Sequence, residues 1–492
     1  MAKVLTQKIN YPILLRMQGW LLMIEALFMV APTVVSFLYG ETDTWIAFLA
    51  TTAITLTVGA GMTFGIKPHN SVMRKREGLI LTATIWVVFS LFGMLPFFIT
   101  GTLHNVADAF FETMAGFTTT GSSVIPDLEA VPRGLLFWRA MMQWIGGMGI
   151  ILFTLAVLPM LNYKGGIALF NAEVTGITHE RLRPRVSQTA KDLWLIYITL
   201  TIVLALLLVR PMGWFDAVCH AMTTMSTGGL STKNAGITYW DSTYVYVVVM
   251  VFMFLGGVNF SLLFNLMRGR FKKLLHNDTF KWYFLTAAVV TLIIVARMTY
   301  MGMCRDTEQR VVFAAFDTIA CITSTGFSTV DYETKGEFIA MLLMVVMFFG
   351  GMAGSTSGGA KIDRFIVMLK NTKNEFYRVL HSNTVTSVRV DGRAIPHVVV
   401  AKVIAFLSIY LLVLLVVAVM LTLMCMPSFD ALYTSISTIS NLGLGYGVTM
   451  PSGSFGLLPD AAKWLLSFEM LVGRLEVFTV LVLFTHSFWL KD

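Results

Sequence analysis

Hydrophobic residues in this chain gather into runs of about 20, and short polar segments separate one run from the next. A helix of about this length crosses the hydrocarbon core of a bilayer. Lipid offers no partner to backbone N–H and C=O groups, so only helices and closed barrels cross it. The pattern predicts an all-α polytopic membrane protein with roughly ten spans, of which clear examples are residues 79–99, 193–209, 245–264, 284–303 and 398–424.

A second pattern lies in the segments that join these spans on one side of the membrane. Each contains an apolar stretch of about a dozen residues, which is too short to cross, and each stretch ends in Thr, Ser and Gly. The four copies are residues 108–121, 214–228, 315–326 and 429–443. Their Thr-Gly ends align better than their Asp residues, and Asp317 stands out of register with the others. The pattern indicates an internal repeat.

The repeated unit reads as a span, a re-entrant half-helix, a polar loop and a second span, or M1-P-M2. We predict two leading transmembrane helices in residues 1–70. Four pseudo-symmetric helix–pore loop–helix units follow around one central pore, at 71–165, 166–270, 271–380 and 381–492. The M2 spans carry Gly-Gly at 146–147, 256–257 and 350–351, and Gly473-Arg474 in the fourth unit. Such a Gly pair lets a neighbouring helix come close.

Charge supports this topology. Charged residues make up 13% of the chain and hydrophobic residues 56%, whereas soluble proteins carry about a quarter charged residues; a large soluble domain is excluded. Lys and Arg concentrate at the N-terminus and at 67–76, 164–191, 268–281 and 361–393. By the positive-inside rule these segments and both termini are cytoplasmic. The net charge of +8 therefore reflects topology and not nucleic-acid binding, and the N-terminus lacks the features of a cleavable signal peptide.

The four loops have the chemistry of a cation pathway. Non-helical backbone at membrane depth is tolerated only where it is buried or lines water. Loop carbonyls can replace the hydration shell of a cation, glycine permits close approach, and the C-terminal end of a half-helix carries partial negative charge. The alternative is that these are ordinary apolar loops packed on the outer face. Four copies, all between spans and all on one side, favour a pore for a monovalent cation, with K⁺ preferred.

Two features below the predicted filter are candidates for a gate. Residues 350–361 are rich in glycine and hydroxyl side chains, will not hold a regular helix, and resemble the discontinuous helices of ion paths; a tight Gly-mediated helix crossing is the alternative. Arg474 stands within a span, where a charge costs about 2.5–3.5 kcal/mol or more. It either projects into the pore and limits cation flux, or pairs with Glu469 or Glu476 and orients the fourth unit.

Other polar residues in the apolar segments have structural interpretations. We expect His220 to be a packing residue with satisfied nitrogens. Asp108 and Glu112 either bond the first loop or cap its half-helix, and capping is favoured. Arg139 is expected to snorkel to the membrane surface. A Cys304–Cys425 disulfide would join the outer ends of two spans, although four Cys residues make no framework.

At these residues the sequence resembles the Trk/Ktr/HKT superfamily of K⁺ transporters, and within it the bacterial Trk branch. The resemblance covers nearly the whole chain. It rests on TTTG at 118–121, STGGLST at 226–232, TSTGFST at 323–329, NLGLG at 441–445, the segment 350–361 and GRLE at 473–476. Each Thr-Gly pair alone is weak, and the set is specific. The resemblance implies a filter that binds the transported K⁺, formed by Thr119, Thr120, Gly121, Thr227, Gly228, Thr325, Gly326, Asn441, Leu442 and Gly443.

The resemblance carries further expectations. The intramembrane gate would consist of Arg474 with Gly350, Gly351, Gly354, Ser355, Thr356, Gly358 and Gly359. The protein would be a homodimer in the bacterial cell inner membrane, surrounded by lipid and controlled by a cytosolic TrkA-like ring that binds nucleotides. A glycine in the first filter favours K⁺, where Na⁺-selective plant relatives carry Ser. The fourth filter departs from Thr-Gly, since it reads Asn-Leu-Gly.

Three other functions fit the sequence less well. A relative that prefers Na⁺ is disfavoured by the filter glycines, while the choice between a channel and a symporter coupled to H⁺ or Na⁺ stays open. A membrane enzyme would need clustered His, Asp or Glu on facing helices, and the sequence offers no such constellation. A secondary transporter with inverted repeats is excluded because successive units keep one orientation.

Overall fold

The computed structural model describes residues 9–67, 73–149, 186–303, 306–329, 336–449 and 454–489. This part of the chain is almost entirely helical. Its only strands form one small antiparallel hairpin, Arg389–Val390 with Arg393–Ala394, in which Arg389 lies opposite Ala394. Most of the basic segment 164–191 and Cys304 lie outside the described residues, and so does the disulfide considered above.

The chain begins with two long helices, Tyr11–Leu38 and Thr42–Gly65, which pack tightly on each other. The Asn10 side chain accepts a hydrogen bond from the Ile13 N–H at 3.4 Å and caps the first. Gly19 allows their close approach, since a Cβ there would lie 2.7 Å from the Gly59 carbonyl oxygen. These are the two leading helices expected for residues 1–70.

Four M1 helices follow at intervals along the chain. The helix Lys75–Gly93 continues as Leu95–Ile99, and the others are Val186–Met212, Asp278–Tyr300 and His397–Leu423. Together with the two leading helices they are the six helices of the described residues that are long and apolar enough to cross a membrane. The prediction of an all-α polytopic membrane protein is confirmed.

Four shorter P helices stand between the spans: Val106–Phe117, Trp214–Met225, Thr307–Ile322 and Ser428–Ile439. Each carries an acidic residue in its first turn, where the partial positive charge of a helix N-terminus favours it; these are Asp108, Asp216, Glu308 and Asp430. The third P helix has 16 residues where the others have 12. Asp317 stood out of register in the sequence because it lies five residues before the end of its helix, as Glu112 does, whereas Asp108 lies nine residues before.

The M2 helices are Arg133–Gly147, Thr243–Gly256, Glu337–Phe349 and Asp460–Arg474, and each ends at its glycine motif. In unit 2 the chain turns by 110° before the next helix, Phe260–Met267, so the apolar run expected at 245–264 forms two helices with a sharp bend between them. Glycine is a poor helix former, and here it also contacts backbone. A Cβ on Gly146 or Gly473 would lie 1.9 or 2.0 Å from the carbonyl oxygen that ends the P helix of the same unit.

The remaining helices of the described residues belong to none of these sets. They are Phe271–Leu275, Ile362–Leu380, Phe478–Leu481 and His486–Trp489, with 3-10 turns at Gly236–Trp240, Gly447–Thr449, Phe455–Leu457 and Val482–Phe484. The helix Ile362–Leu380 is amphipathic; its Lys373 is exposed, and Arg364, Lys370 and Arg378 are half-buried.

The four units form a closed ring. The M2 helix of unit 1 packs on the P helix of unit 2, that of unit 2 on the P helix of unit 3, and that of unit 3 on the P helix of unit 4. The M2 helix of unit 4 packs on the P helix of unit 1 and completes the circle. The C-terminal ends of the four P helices therefore meet inside the ring, and each leads into one of the polar loops.

Candidate functional site

The same hydrogen-bonding pattern joins each of the four polar loops to the end of its P helix. In unit 1 the Thr119 N–H donates to the Gly116 carbonyl at 3.0 Å and the Thr120 N–H to the Ala115 carbonyl at 2.9 Å. This is the Schellman motif, and units 2, 3 and 4 repeat it. Because the N–H groups of the loop turn back to the helix, the backbone groups that the loop can offer to a ligand are carbonyl oxygens.

The motif places a left-handed residue second after each helix end. Glycine usually takes this position, but here it is held by Thr119, Thr227, Ser324 and Asn441, with φ between 50° and 57°. A left-handed conformation costs a residue with a Cβ about 1–2 kcal/mol. Strain of this kind clusters at functional sites. Four copies of the same strained turn mark these loops as the candidate site.

The backbone conformation corrects the sequence register of the second loop. The left-handed glycines two residues further on are Gly121, Gly326 and Gly443 in three units, and Gly229, not Gly228, in unit 2. The register is set by the end of the P helix at Met225 and by the left-handed Thr227. It is not set by which glycine comes first after a threonine. The assignment of Gly228 as the equivalent of Gly121 is therefore wrong, although Gly228 lies in the same loop.

Each of these glycines lies against a carbonyl oxygen of the next loop around the ring. A Cβ on Gly121 would be 2.0 Å from the Gly228 oxygen, and one on Gly229 would be 1.9 Å from the Thr325 oxygen. The other two glycines repeat the contact at 2.0 and 2.1 Å, with the oxygens of Leu442 and Thr120. No side chain fits at these four positions, and the carbonyls of four loops lie side by side in a closed circle.

Side chains from neighbouring helices brace the ring. The Gln143 side chain, from the M2 helix of unit 1, donates to the Gly228 carbonyl at 2.7 Å and accepts from the Leu230 N–H at 3.2 Å. Asn441 serves unit 4, where its amide donates to the Thr120 hydroxyl at 3.0 Å and to the Met470 carbonyl at 2.9 Å. The fourth loop has Asn441 in place of the Thr-Gly pattern, and this side chain thus bonds the first loop directly.

In each unit, a polar side chain five residues before the end of the P helix forms a hydrogen bond with the stretch of chain that follows the polar loop. Glu112 accepts from the Val124 N–H at 2.9 Å, and Asp317 accepts from the Thr329 N–H at 3.1 Å. In units 2 and 4 the pairs are His220 with the Ser231 hydroxyl at 3.0 Å, and Thr434 with the Thr449 hydroxyl at 3.1 Å. The sequence analysis missed this set. Its signal was a polar residue at a constant distance from the end of an apolar half-helix.

Three expectations about polar residues change as a result. Glu112 bonds the loop and is no cap; the N-terminus of its helix is capped by Asn105, which accepts from the Ala107 N–H at 3.0 Å. Asp108 pairs with Lys463 of the M2 helix in unit 4. His220 does pack as expected, between the rings of Trp240 and Phe327, and in addition bonds the loop.

Arg139 is buried and does not snorkel. Its side chain is 1% exposed, and its Nε lies 2.7 Å from a carboxylate oxygen of Glu112, which is equally buried. A second guanidinium nitrogen donates to the Ser123 hydroxyl at 2.9 Å. The buried pair fixes the chain beyond the first polar loop from two helices, so the predicted position of Arg139 at the membrane surface is wrong.

The segment 350–361 lies non-helical between Phe349 and Ile362 and hydrogen-bonds units 2 and 4. The Met352 N–H donates to the Gly257 carbonyl at 2.9 Å, and the Thr356 hydroxyl to the Met225 carbonyl at 3.1 Å, both in unit 2. The Gly359 N–H donates to the Ser440 carbonyl of unit 4 at 3.0 Å. The segment thus packs directly against the ends of the P helices from which the polar loops begin.

Arg474 connects this segment to the far side of the ring. One guanidinium nitrogen donates to the Thr356 carbonyl at 3.0 Å and the other to the Gly146 carbonyl of unit 1 at 2.7 Å. Both carboxylates considered as its partners bond elsewhere. Glu469 accepts from the hydroxyls of the P helix in unit 4 at 2.6 and 2.7 Å, and Glu476 pairs with Arg364. The guanidinium therefore lies among the ends of helices from different units.

Comparison with known proteins gives consistent matches along the whole chain. A family model described as "TrkH: Cation transport protein" matches residues 45–490. The Trk system potassium uptake protein TrkH of Halomonas elongata is 37% identical over 483 residues, which cover 97% of this chain and 99% of that protein. The protein of the same name from Escherichia coli strain K12 is 35% identical over 482 residues, 96% of this chain and 98% of its own. The crystal structure of the potassium transporter TrkH from Vibrio parahaemolyticus superposes with a TM-score of 0.88 at 32% identity, covering 98% of this chain and 100% of that one.

Proposed function

Since the chain belongs to the TrkH family of cation transport proteins, we propose that it takes up K⁺ across the bacterial inner membrane through the ring of polar loops. The observation that carries the proposal is the closed circle in which each loop glycine abuts a carbonyl oxygen of the next loop. Four chemically similar loops that offer carbonyl oxygens can replace the hydration shell of a cation. Relatives at 35–37% identity are named potassium uptake proteins.

The selectivity filter consists of the four loops after the P helices. Backbone oxygens coordinate K⁺, and the residues that supply or position them are Thr119, Thr120, Gly121, Thr227, Gly228, Gly229, Thr325, Gly326, Asn441, Leu442 and Gly443. The four P helices point their C-terminal ends at the site, where their partial negative charge stabilises a cation. The buried Glu112–Arg139 pair and its counterparts hold the loops at fixed spacing, which a size-selective filter requires.

The gate consists of the segment 350–361 and Arg474. In the closed state the guanidinium places a positive charge on the ion path below the filter, where it repels K⁺. Its bonds to the carbonyls of Thr356 and Gly146 hold the segment across the path at the same time. Opening then requires both bonds to break and the segment to move out of the ion path. Its glycines permit this movement because they carry no side chains that would clash.

Regulation follows the resemblance noted for the sequence. The protein acts as a homodimer with both termini in the cytoplasm, and a cytosolic TrkA-like ring that binds nucleotides controls the gate. The helix Ile362–Leu380 supports this arrangement because it follows the gate segment directly and carries four basic residues, of which Lys373 is exposed and the others are half-buried. A partner that pulls on this helix would move the segment 350–361.

Uptake of Rb⁺ into vesicles that hold the purified protein tests the filter, with Na⁺ as competitor. Wild type is expected to carry Rb⁺ with little inhibition by Na⁺, and Gly121→Ser to lose that preference, because its Cβ would clash with the Gly228 oxygen at 2.0 Å. Flux without K⁺ preference in wild type, or indifference to the serine, contradicts the filter assignment.

Flux in the absence of the regulatory ring tests the gate. Arg474→Ala removes the charge and both bonds and is expected to raise Rb⁺ flux several-fold, while Arg270→Ala, an exposed position, serves as the control. Flux equal to wild type in the Arg474 variant would refute the gate and leave the filter proposal intact.

A further inference from the structure

A cavity of about 290 Å³ opens on the side of the membrane that holds the polar loops. Four parts of the chain line it: the end of the first leading helix at Tyr39, the chain around the start of the M2 helix of unit 1, the start of the P helix of unit 2, and Thr232 with Lys233 after the polar loop of unit 2. It lies outside the ring of loops. None of the filter or gate residues lines it.

Two cations line this cavity without an acceptor for their side chains. The Arg133 guanidinium lies over the Tyr39 ring, 4.3 Å from its centroid, and the Lys233 ammonium lies 4.5 Å from the centroid of the Tyr239 ring. Neither side chain makes a hydrogen bond or ion pair within the described ranges. Aromatic faces attract cations but leave their N–H donors open.

Two carboxylates line the same cavity and can accept further hydrogen bonds. Glu129 has no side-chain bond to any residue that the structure describes, and Asp216 accepts one bond, at 2.7 Å, from the Thr232 hydroxyl. Opposite charges thus share one cavity without pairing with each other. A ligand that carries an anion and a cation a few bonds apart would satisfy both sets at once.

The position of the cavity points to a lipid. Tyr39 and Trp214 stack with ring centroids 5.9 Å apart at the ends of two spans, where Tyr and Trp mark the level of lipid headgroups. Trp214 is 52% exposed, and two apolar side chains on the same helix ends, Leu38 beside Tyr39 and Val209, are 69% and 38% exposed. Acyl chains would run along these side chains while a headgroup enters the cavity.

We propose that this cavity binds the phosphoethanolamine headgroup of a phospholipid in the leaflet on the side of the polar loops. Arg133 and Lys233 contact the phosphate, for which the guanidinium fork is well suited. Glu129 and Asp216 accept hydrogen bonds from the ammonium. The lipid joins the leading helices to units 1 and 2, at the point where the Glu41 carboxylate already holds the Arg133 N–H at 2.6 Å.

Native mass spectrometry of the full-length protein tests the site with phosphatidylethanolamine and phosphatidylglycerol as probes. Wild type is expected to retain phosphatidylethanolamine about tenfold better, the ratio that corresponds to one charge-assisted hydrogen bond. The double variant Arg133→Gln/Lys233→Gln should lose retention of both lipids. Glu129→Gln should lose only the preference. The double variant Arg270→Gln/Lys272→Gln, which changes exposed residues elsewhere, is the matched control and should behave as wild type.

Two results would overturn the proposal. One is equal retention of the two lipids by wild type together with unchanged retention in both cavity variants. The other concerns the source of the ligand: if free phosphoethanolamine raises the unfolding temperature of delipidated protein as much as the lipid does, the ligand is a soluble zwitterion and the lipid assignment is wrong. Glu129→Gln changes an exposed side chain, so the test does not depend on the folding of the double variant.

Discussion

The two adjacent glycines of the second loop should respond very differently to the same added methyl group. Gly229 has a left-handed φ of 73°, which costs an alanine about 1–2 kcal/mol. Its Cβ would also lie 1.9 Å from the Thr325 oxygen, whereas carbon and oxygen normally stay about 3.3 Å apart. The third loop would have to move by more than about 1 Å. Overpacking of this kind adds about 1–3 kcal/mol, so Gly229→Ala should cost about 2–5 kcal/mol in total.

Gly228 faces a side chain instead of backbone. A Cβ there would lie 2.3 Å from the amide carbon of Gln143, and that flexible end can swing away. The variant Gly228→Ala then loses the two Gln143 bonds, worth about 1 kcal/mol each, while the ring of carbonyls keeps its shape. We therefore expect Gly229→Ala to lose the preference for Rb⁺ over Na⁺, and Gly228→Ala to keep most of it.

The assay is Rb⁺ uptake into vesicles with Na⁺ as competitor, combined with thermal unfolding of the same preparations. Gly61→Ala is the control, since nothing lies within 4 Å of a Cβ at that position and it should match wild type in both measurements. If Gly228→Ala destroys selectivity while Gly229→Ala preserves it, the register derived from the helix ends is wrong, and the sequence register was right.

Three further changes probe the side chains around the ring. Glu112→Gln leaves the buried Arg139 without its counter-charge and should lower the free energy of unfolding by about 3–5 kcal/mol; denaturation that matches wild type would contradict this. Glu25→Leu should raise the unfolding temperature, because both oxygens of this buried carboxylate lack hydrogen-bond partners in the described residues and burying such a group is costly; a lower temperature would show a partner that the geometry does not reveal. Asn441→Ala removes the bond to Thr120 and should reduce Rb⁺ selectivity in the vesicle assay while the chain still folds, and an unchanged selectivity would limit Asn441 to a structural role.

The spans and the four loops could be predicted because they follow from one strong constraint. Whether an apolar run is long enough to cross a bilayer depends on its number of residues, and that number can be read from the sequence. The same holds for the repeat, since four Thr/Ser/Gly clusters in equivalent places are visible without a structure. The glycine pairs indicated close helix contact within the M2 spans, but not that the M2 helices end at them.

The details of the site depend on contacts that a linear pattern does not contain. The second loop was misread because two glycines follow Thr227, and only the end of the P helix decides between them. A cue was present: Asp216 lies as far from Gly229 as Asp108 lies from Gly121. Arg139 was misplaced because its partner Glu112 is 27 positions away, and nothing in the local sequence separates a buried ion pair from a charge at the membrane surface.

The closed circle of loops has a consequence for the timing of synthesis. Domains of a chain fold from the N-terminus as they are made, yet the Thr120 oxygen meets its neighbour only when Gly443 arrives. The first loop therefore lacks its contact with the fourth loop until three more units have entered the membrane. A nascent chain that stops after unit 3 has no closed ring and no defined passage. The order of the units along the chain thus delays a working ion path until the last of them is in place.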